Sequence, residues 1–116
     1  MTAAPEHDFV IAEILSNVFS EVRRSTVQHG DQSHLPNGTA WASDNLDSVR
    51  ARRDCEMAFA SGRGSWRHIL REEFHEALNE SDPVLLRAEL VQVAAVAVKW
   101  IDAIDRNTRT ERTPAA

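Results

Sequence analysis

Apolar residues recur along most of the chain at intervals of three and four positions, which is the spacing of one face of an α-helix. Four segments carry this pattern: residues 8–28, 44–60, 66–79 and 83–106. Asp44 and Ser65 are suited to cap the second and third segments, and Pro83 suits the first turn of the fourth. Because the alternation typical of strands is nearly missing, the pattern predicts an all-α fold, a helical bundle built on an antiparallel helix hairpin.

The fourth predicted helix differs from the others, because apolar residues surround its axis. They run from Val84 to Ile101 with few polar interruptions. A helix that is apolar on all sides has to be buried on all sides, and three other helices in one short chain can hardly cover it. We therefore expect a homodimer or a homotetramer, in which further copies of the chain complete the bundle.

The organisation along the chain is that of one helical domain, since 116 residues leave room for a single core. Residues 29–40, which contain glycine and proline, are typical of a loop, and residues 61–64 break the chain between two helices. We place the domain at residues 8–106. Residues 1–7 and 107–116 are polar and are expected to form loose tails.

Composition and charge exclude several classes of protein. A net charge of −5 argues against a surface that coats nucleic acid. Cys55 is the only cysteine, so an intrachain disulfide and a zinc site of the CxxC type are excluded. The most apolar run, residues 90–98, is far shorter than the roughly 20 residues of a membrane span, and no secretory signal is visible. We therefore expect a cytoplasmic protein that binds neither a membrane nor a nucleic-acid polymer.

Four polar side chains interrupt the apolar faces of the third and fourth predicted helices: Glu73 and Glu76, and Glu89 and Gln92. The members of each pair are three positions apart, and the short connection between the helices brings the two pairs to a similar level of the hairpin. A carboxylate on a buried face is costly unless a partner compensates its charge. One interpretation is a set of solvated surface glutamates, and the other is an oxygen cage of the kind that Mg²⁺ prefers.

These residues carry a resemblance to a known family. The run Glu72-Glu73-Phe74-His75-Glu76, followed after twelve residues by Glu89-Leu90-Val91-Gln92, resembles the EExxE…ExxD signature of the MazG-like all-α nucleoside triphosphate pyrophosphohydrolases. That group includes the dimeric dUTPases and dCTP pyrophosphatases. The resemblance covers about residues 65–104. It implies hydrolysis of a (d)NTP to the monophosphate and pyrophosphate, with Mg²⁺ as the cofactor and Mn²⁺ as a possible substitute.

The resemblance also implies a role for each residue of the motif. Glu73, Glu76 and Glu89 would be metal ligands, and Glu72 would support the site or orient a water molecule. Gln92 stands where the family has its last aspartate. Glutamine offers a neutral oxygen as a metal ligand, so we expect a lower affinity for the metal and weak or absent catalysis.

Three further residues are candidates for binding the substrate. Lys99 follows the apolar run on the helix that carries Glu89, and it is the cation best suited to a triphosphate, unless it merely extends to solvent. Trp41 lies in a predicted loop, where its ring is a candidate platform for a base, although tryptophan is more often a core or interface anchor. His34 lies in the 28–39 loop, which resembles a nucleotide-approaching loop of small bacterial and phage members; the alternative is local turn chemistry.

Other interpretations of the sequence stay open. His68, Glu72 and His75 share one helical face and could form a metal site with two histidines and one carboxylate. Arg63, between two glycines and just before a helix, could receive a phosphate or belong to an ordinary turn. The alternatives to an enzyme are a catalytically weak or inactive MazG-like module that binds nucleotides or a protein, and a helical dimerisation protein whose buried glutamates pair with arginines.

Overall fold

A computed structural model describes the backbone of residues 5–112 and the side chains of residues 6–108. The described residues form four α-helices: α1 (Pro5–His29), α2 (Asp44–Ala60), α3 (Trp66–Asn79) and α4 (Pro83–Arg112). No strand occurs within the described residues, so the predicted all-α class is confirmed. The outermost parts of the two predicted tails, residues 1–4 and 113–116, lie outside the described residues.

Two helices are longer than their apolar patterns predict. Helix α1 begins at Pro5, because proline fits the first turn of a helix, where its missing N–H has no partner to lose. Helix α4 continues from Arg106 to Arg112 through a polar stretch without an apolar stripe. No glycine or proline interrupts that stretch, so the backbone hydrogen bonds of the helix continue.

The chain divides into two compact units. The inner unit is Asn37–Ala97 and holds α2, α3 and the first half of α4. The terminal unit holds both ends of the chain, up to Pro36 and from Val98 onward, and so contains α1 and the second half of α4.

In the inner unit, α2 packs against α3 in an antiparallel arrangement. Arg71 pairs with Asp54 near the turn that joins the helices, and the Ala40 N–H donates to the Leu78 carbonyl at the far end. The buried positions of α2 are four and three residues apart and are small or polar: Asp44, Ser48, Ala51 and Cys55. Small side chains let two helix backbones approach closely, whereas the larger apolar side chains of α2 are half exposed: Leu46, Val49, Met57 and Phe59.

The predicted caps act differently from simple N-caps. Asp44 is buried, and its carboxylate accepts a 2.6 Å hydrogen bond from the Trp41 N–H, so it ties the preceding loop to α2. Ser65 occupies the N-cap position of α3 with an extended backbone, but its hydroxyl lies 2.7 Å from Nδ1 of His68. The side chains at both helix starts therefore hold neighbouring groups in place.

The terminal unit contains a buried ion pair. Asp102 of α4 is 7% exposed, and its Oδ2 lies 3.1 Å from Nε2 of His7 on α1. Arg106, one turn further along α4, places two guanidinium nitrogens at 2.8 and 3.1 Å from the same carboxylate. These partners hold the pKa of Asp102 below its ordinary value, the hydrogen bond with His7 contributing most. The pairing connects the start of α1 to α4.

Much apolar surface stays exposed on the single chain. Phe9 of α1 is 75% exposed and Val84 of α4 is 77% exposed. Several other large apolar residues of these helices are also exposed: Leu15, Phe19, Val22, Val27, Leu85, Leu90, Val91 and Ile104. None of the described helices is both long and apolar enough to cross a membrane.

Candidate metal centre

The α3–α4 hairpin is closed by a short turn whose side chains fix the start of α4. The Glu80 carboxylate accepts a 3.0 Å hydrogen bond from the Asp82 N–H, and the Asp82 carboxylate accepts a 2.9 Å bond from the Val84 N–H. Asp82 therefore caps α4 directly before Pro83, as expected for a proline in the first turn. The connection is only three residues long, and glutamates of both helices meet beyond it.

Three glutamates meet on this hairpin. One carboxylate oxygen each from Glu73, Glu76 and Glu89 lies within 4.8 Å of the other two, and all three residues are half-buried. Glu73 and Glu76 come from the same face of α3, and Glu89 comes from α4. The sequence interpretation had placed these three residues together, and the geometry brings them together. Their spacing suits a single cation that takes one oxygen from each.

The electrostatics of this cluster disfavour three bare charges. The pKa of Glu73 is raised by burial, and further by the negative charges of Glu89 and Glu72. The pKa of Glu76 is raised by burial and by the same carboxylates together with Glu73, while Arg52 acts in the opposite direction. Like charges in a half-buried site raise each other's pKa, and a bound cation would reverse this effect.

Helix α2 contributes to the site, which the sequence analysis did not foresee. A guanidinium nitrogen of Arg52 lies 3.7 Å from Oε1 of Glu76. On the buried face of α2, the Cys55 thiol interacts with Glu72; burial, followed by this interaction, raises the pKa of the thiol to about 11. The only available signal was the spacing of the small residues of α2, which is weaker than an apolar stripe.

Three of the remaining predicted site residues are exposed: Gln92, Lys99 and His34. Gln92 is exposed on α4, one turn after Glu89. Lys99 is exposed and belongs to the terminal unit, outside the unit that holds the glutamates. His34 is exposed in a turn of the terminal unit, beside Asp31, whose carboxylate accepts a 2.9 Å hydrogen bond from the Ser33 N–H.

Trp41 lies at a cavity of the inner unit. The cavity has a volume of about 290 Å³ and is lined by Gly38, Trp41, Ser43, Asp44, Asp47 and Leu78. Trp41 itself is 69% exposed, so the ring is not a core anchor in the single chain. The loop that carries it contains Ala40 with φ of 60°, a left-handed conformation that is uncommon for a residue with a side chain. Two hydrogen bonds hold this loop against α2 and α3: the Trp41 N–H donates to the Asp44 carboxylate, and the Ala40 N–H donates to the Leu78 carbonyl.

The structure does not bring together the ligands of the alternative metal site, which was to consist of two histidines and one carboxylate. Within residues 6–108, the groups of ligand-type side chains that could share a metal ion do not include His68, Glu72 and His75 together. His68 is engaged with Ser65, and the ring of His75 packs edge-on against Phe74 at 5.4 Å between centroids. Nδ1 of His75 is buried, and no hydrogen-bond partner for it lies among the residues that the structure describes.

Comparisons with models of protein families, with curated proteins and with solved structures found no match to this chain.

Proposed function

We propose that this protein is a Mg²⁺-dependent nucleoside triphosphate pyrophosphohydrolase of the MazG-like type. The observation that carries the proposal is the meeting of Glu73, Glu76 and Glu89, with oxygens within 4.8 Å of one another on a helix hairpin. The overall reaction converts a (d)NTP and water to a (d)NMP and pyrophosphate. The motif resemblance at residues 72–92 supplies the reaction class, and the carboxylate cluster supports it.

The donor set fits a hard divalent cation. Three carboxylates offer oxygen ligands, and the raised pKa values of Glu73 and Glu76 mark a site where added positive charge is favourable. Mg²⁺, or Mn²⁺ as its substitute, would offset the charge of the triphosphate and polarise its phosphoryl oxygens. Glu73, Glu76 and Glu89 would hold the ion. Glu72 would orient the attacking water, and its contact with Cys55 would restrict the positions of its carboxylate.

The nucleoside would be recognised near the far end of α3. Leu78, which lines the Trp41 cavity, lies in the last turn of α3 and belongs to the same unit as the glutamates. Because the Trp41 ring is exposed, the base of a nucleotide could stack on it without any rearrangement of buried side chains. Lys99 and His34 belong to the terminal unit, and their role in binding the substrate stays a prediction from the sequence.

Self-association is part of the proposal. Large apolar side chains of α1 and α4 are exposed on the single chain, among them Phe9 at 75% and Val84 at 77%. A second copy of the chain, as a homodimer or within a homotetramer, would bury this surface with the same residues on both sides. We place the protein in the cytoplasm, where a free thiol such as Cys55 stays reduced.

The test is pyrophosphate release from a panel of ribo-, deoxyribo- and modified triphosphates with Mg²⁺ or Mn²⁺. We expect release by the unmodified protein and loss of at least a hundredfold in Glu73→Gln, because one ligand is neutralised. The matched control is Glu13→Gln, an exposed glutamate of α1 that removes the same charge outside the cluster. If the folded protein released no pyrophosphate from any triphosphate of the panel, the enzyme proposal would be contradicted.

A second candidate function is a weak or inactive module that binds nucleotides or a protein partner. Gln92 favours it, because it supplies a neutral oxygen where the similar family has an aspartate. The variant Gln92→Asp separates the two functions. In a weakened enzyme it should tighten Mg²⁺ binding and raise turnover, whereas in a module that needs no metal it should do neither.

A further inference from the structure

A second polar cavity lies at the other end of α3, beside the turn that joins it to α2. Its volume is about 520 Å³, within the range of small-molecule sites. Three basic side chains line it: Arg63 from the turn, and His68 and Arg71 from the first half of α3. Ser61 and Met57 also line the cavity. On a protein with a net charge of −5, the cavity thus gathers two arginines and a histidine in one place.

The one carboxylate in this wall is already paired. Asp54 accepts a 2.6 Å hydrogen bond from the Arg71 guanidinium, which offsets its charge. That hydrogen bond holds the pKa of Asp54 below its ordinary value, and the charges of Arg71, Arg53 and His68 lower it further. The surroundings of Asp54 are thus electropositive, and Arg63 and His68 add their donors without a carboxylate of the cavity to neutralise them.

The turn that presents Arg63 has a conformation fixed by its neighbours. Gly62 has φ of +75°, a value that favours glycine, and a side chain on Gly64 would overlap the Phe59 ring. Arg63 Nε lies 3.5 Å from the Ser61 hydroxyl oxygen. Helix α3 starts just after this turn and has no acidic residue in its first turn, so nothing there opposes an anion.

This cavity is separate from the metal centre. Arg71 and Glu73 are two positions apart on α3, which places their side chains about 200° apart around the helix axis. The glutamates and the basic cavity therefore occupy different faces of α3.

We propose that this cavity is a second binding site, which takes the phosphate group of a small phosphorylated compound without a metal ion. Arg63 and Arg71 provide the planar donors that match phosphate oxygens, Nε2 of His68 adds a further donor, and Met57 borders the remainder of the ligand. The site operates whether or not the carboxylate cluster is catalytic.

The experiment is calorimetric titration of the full-length protein with pyrophosphate as the probe, in buffer freed of metal by chelating resin. Dissolved chelators are avoided because they are themselves polyanions. We expect saturable binding with a dissociation constant below about 1 mM, and weakening of at least about tenfold in Arg63→Gln. The matched control Arg50→Gln, an exposed arginine of α2 outside the cavity, should bind as the unmodified protein does.

Two further arms keep the result decisive. The variant Glu73→Gln, which disables the proposed metal centre, should bind pyrophosphate unchanged, so this site can stand while the enzyme proposal fails. In a labelled sample, the backbone signals of Gly62 and Gly64 should shift on titration, which locates the ligand without any substitution. Absence of saturation at about ten times the expected constant, or equal weakening by Arg50→Gln, would overturn the proposal.

Discussion

Substitution of Glu73 by glutamine should stabilise the metal-free protein and remove its response to Mg²⁺. The carboxylate oxygens of the cluster lie within 4.8 Å of one another. At an effective dielectric constant of about 20, two unit charges at that distance repel by about 3.5 kcal/mol. Glu73 takes part in two of the three pairs. Partial solvent exposure and the raised pKa values relieve much of this repulsion, so we expect a net stabilisation of about 1–2 kcal/mol.

The assay is thermal unfolding followed by circular dichroism at fixed protein concentration, with and without Mg²⁺. For a chain of this length, 1 kcal/mol corresponds to about 4 °C, so Tm of metal-free Glu73→Gln should rise by about 4–8 °C. The unmodified protein should gain about 2.7 kcal/mol when Mg²⁺ is at a hundred times its dissociation constant, and the variant should gain little. Glu13→Gln should behave as the unmodified protein in both buffers.

The opposite result would refute the reasoning. If Glu73→Gln lowers Tm and Mg²⁺ changes neither protein, the carboxylate is paired with a cation in the folded state. The protein would then be a helical dimerisation protein whose glutamates pair with arginines across an interface. Loss of the dimer in Glu73→Gln, measured by sedimentation, would identify that case.

The raised pKa values also fix the pH dependence of the metal-free protein. Glu73 and Glu76 bind protons more tightly in the folded protein than in the unfolded chain. Their protonation therefore adds fully to the free energy of unfolding at a pH below their pKa in the unfolded chain, which is roughly 4.3 for glutamate. This gain in stability is lost as the pH rises through the pKa values that the two groups have in the folded protein. Urea titrations should therefore show stability from these groups falling as the pH rises above about 4.3, and saturating Mg²⁺ should abolish the fall.

Two further predictions concern buried groups outside the ligand set. The pKa of Cys55 is raised from 9.0 to about 11, so near pH 8 the folded protein holds roughly a hundredfold less thiolate than the unfolded protein. Because the thiolate is the reactive form, a thiol reagent should label the folded protein at least about a hundredfold more slowly than the protein unfolded in guanidinium. Rapid labelling of the folded protein would contradict the burial of Cys55. Asp102→Asn should lower the free energy of unfolding at pH 7 by about 1–2 kcal/mol, measured by urea titration, because it weakens the pairing with His7 and Arg106. Since the pKa of Asp102 is lowered, this difference should shrink as the pH falls below about 4; a constant difference would rule out the charge as its source.

The sequence was sufficient for the helices and for the meeting of the glutamates, because both depend on local spacing. Positions three apart share a helix face, and a three-residue connection favours an antiparallel hairpin of α3 and α4. Glu73, Glu76 and Glu89 follow from those two facts. The extension of α4 beyond Arg106 did not follow, since a polar helix needs no apolar stripe to continue.

The contribution of α2 could not be predicted from the sequence, for a physical reason. Its packing face consists of small and polar residues such as Ser48, Ala51 and Cys55, while its large apolar residues remain half exposed. Hydrophobic periodicity reports where large side chains lie, and it does not detect a close approach of two backbones. The contacts of Arg52 with Glu76 and of Cys55 with Glu72 are tertiary contacts that follow from this packing.

The most direct test of the central claim is the binding of Mn²⁺, followed by electron paramagnetic resonance of the free ion. The claim is that Glu73, Glu76 and Glu89 hold one divalent cation together. It predicts one Mn²⁺ site per chain that Mg²⁺ displaces, with affinity reduced by about ten- to a hundredfold or more in Glu73→Gln and in Glu89→Gln, and unchanged in Glu13→Gln. Absence of bound Mn²⁺ in the unmodified protein, or equal binding by all three variants, would contradict the claim.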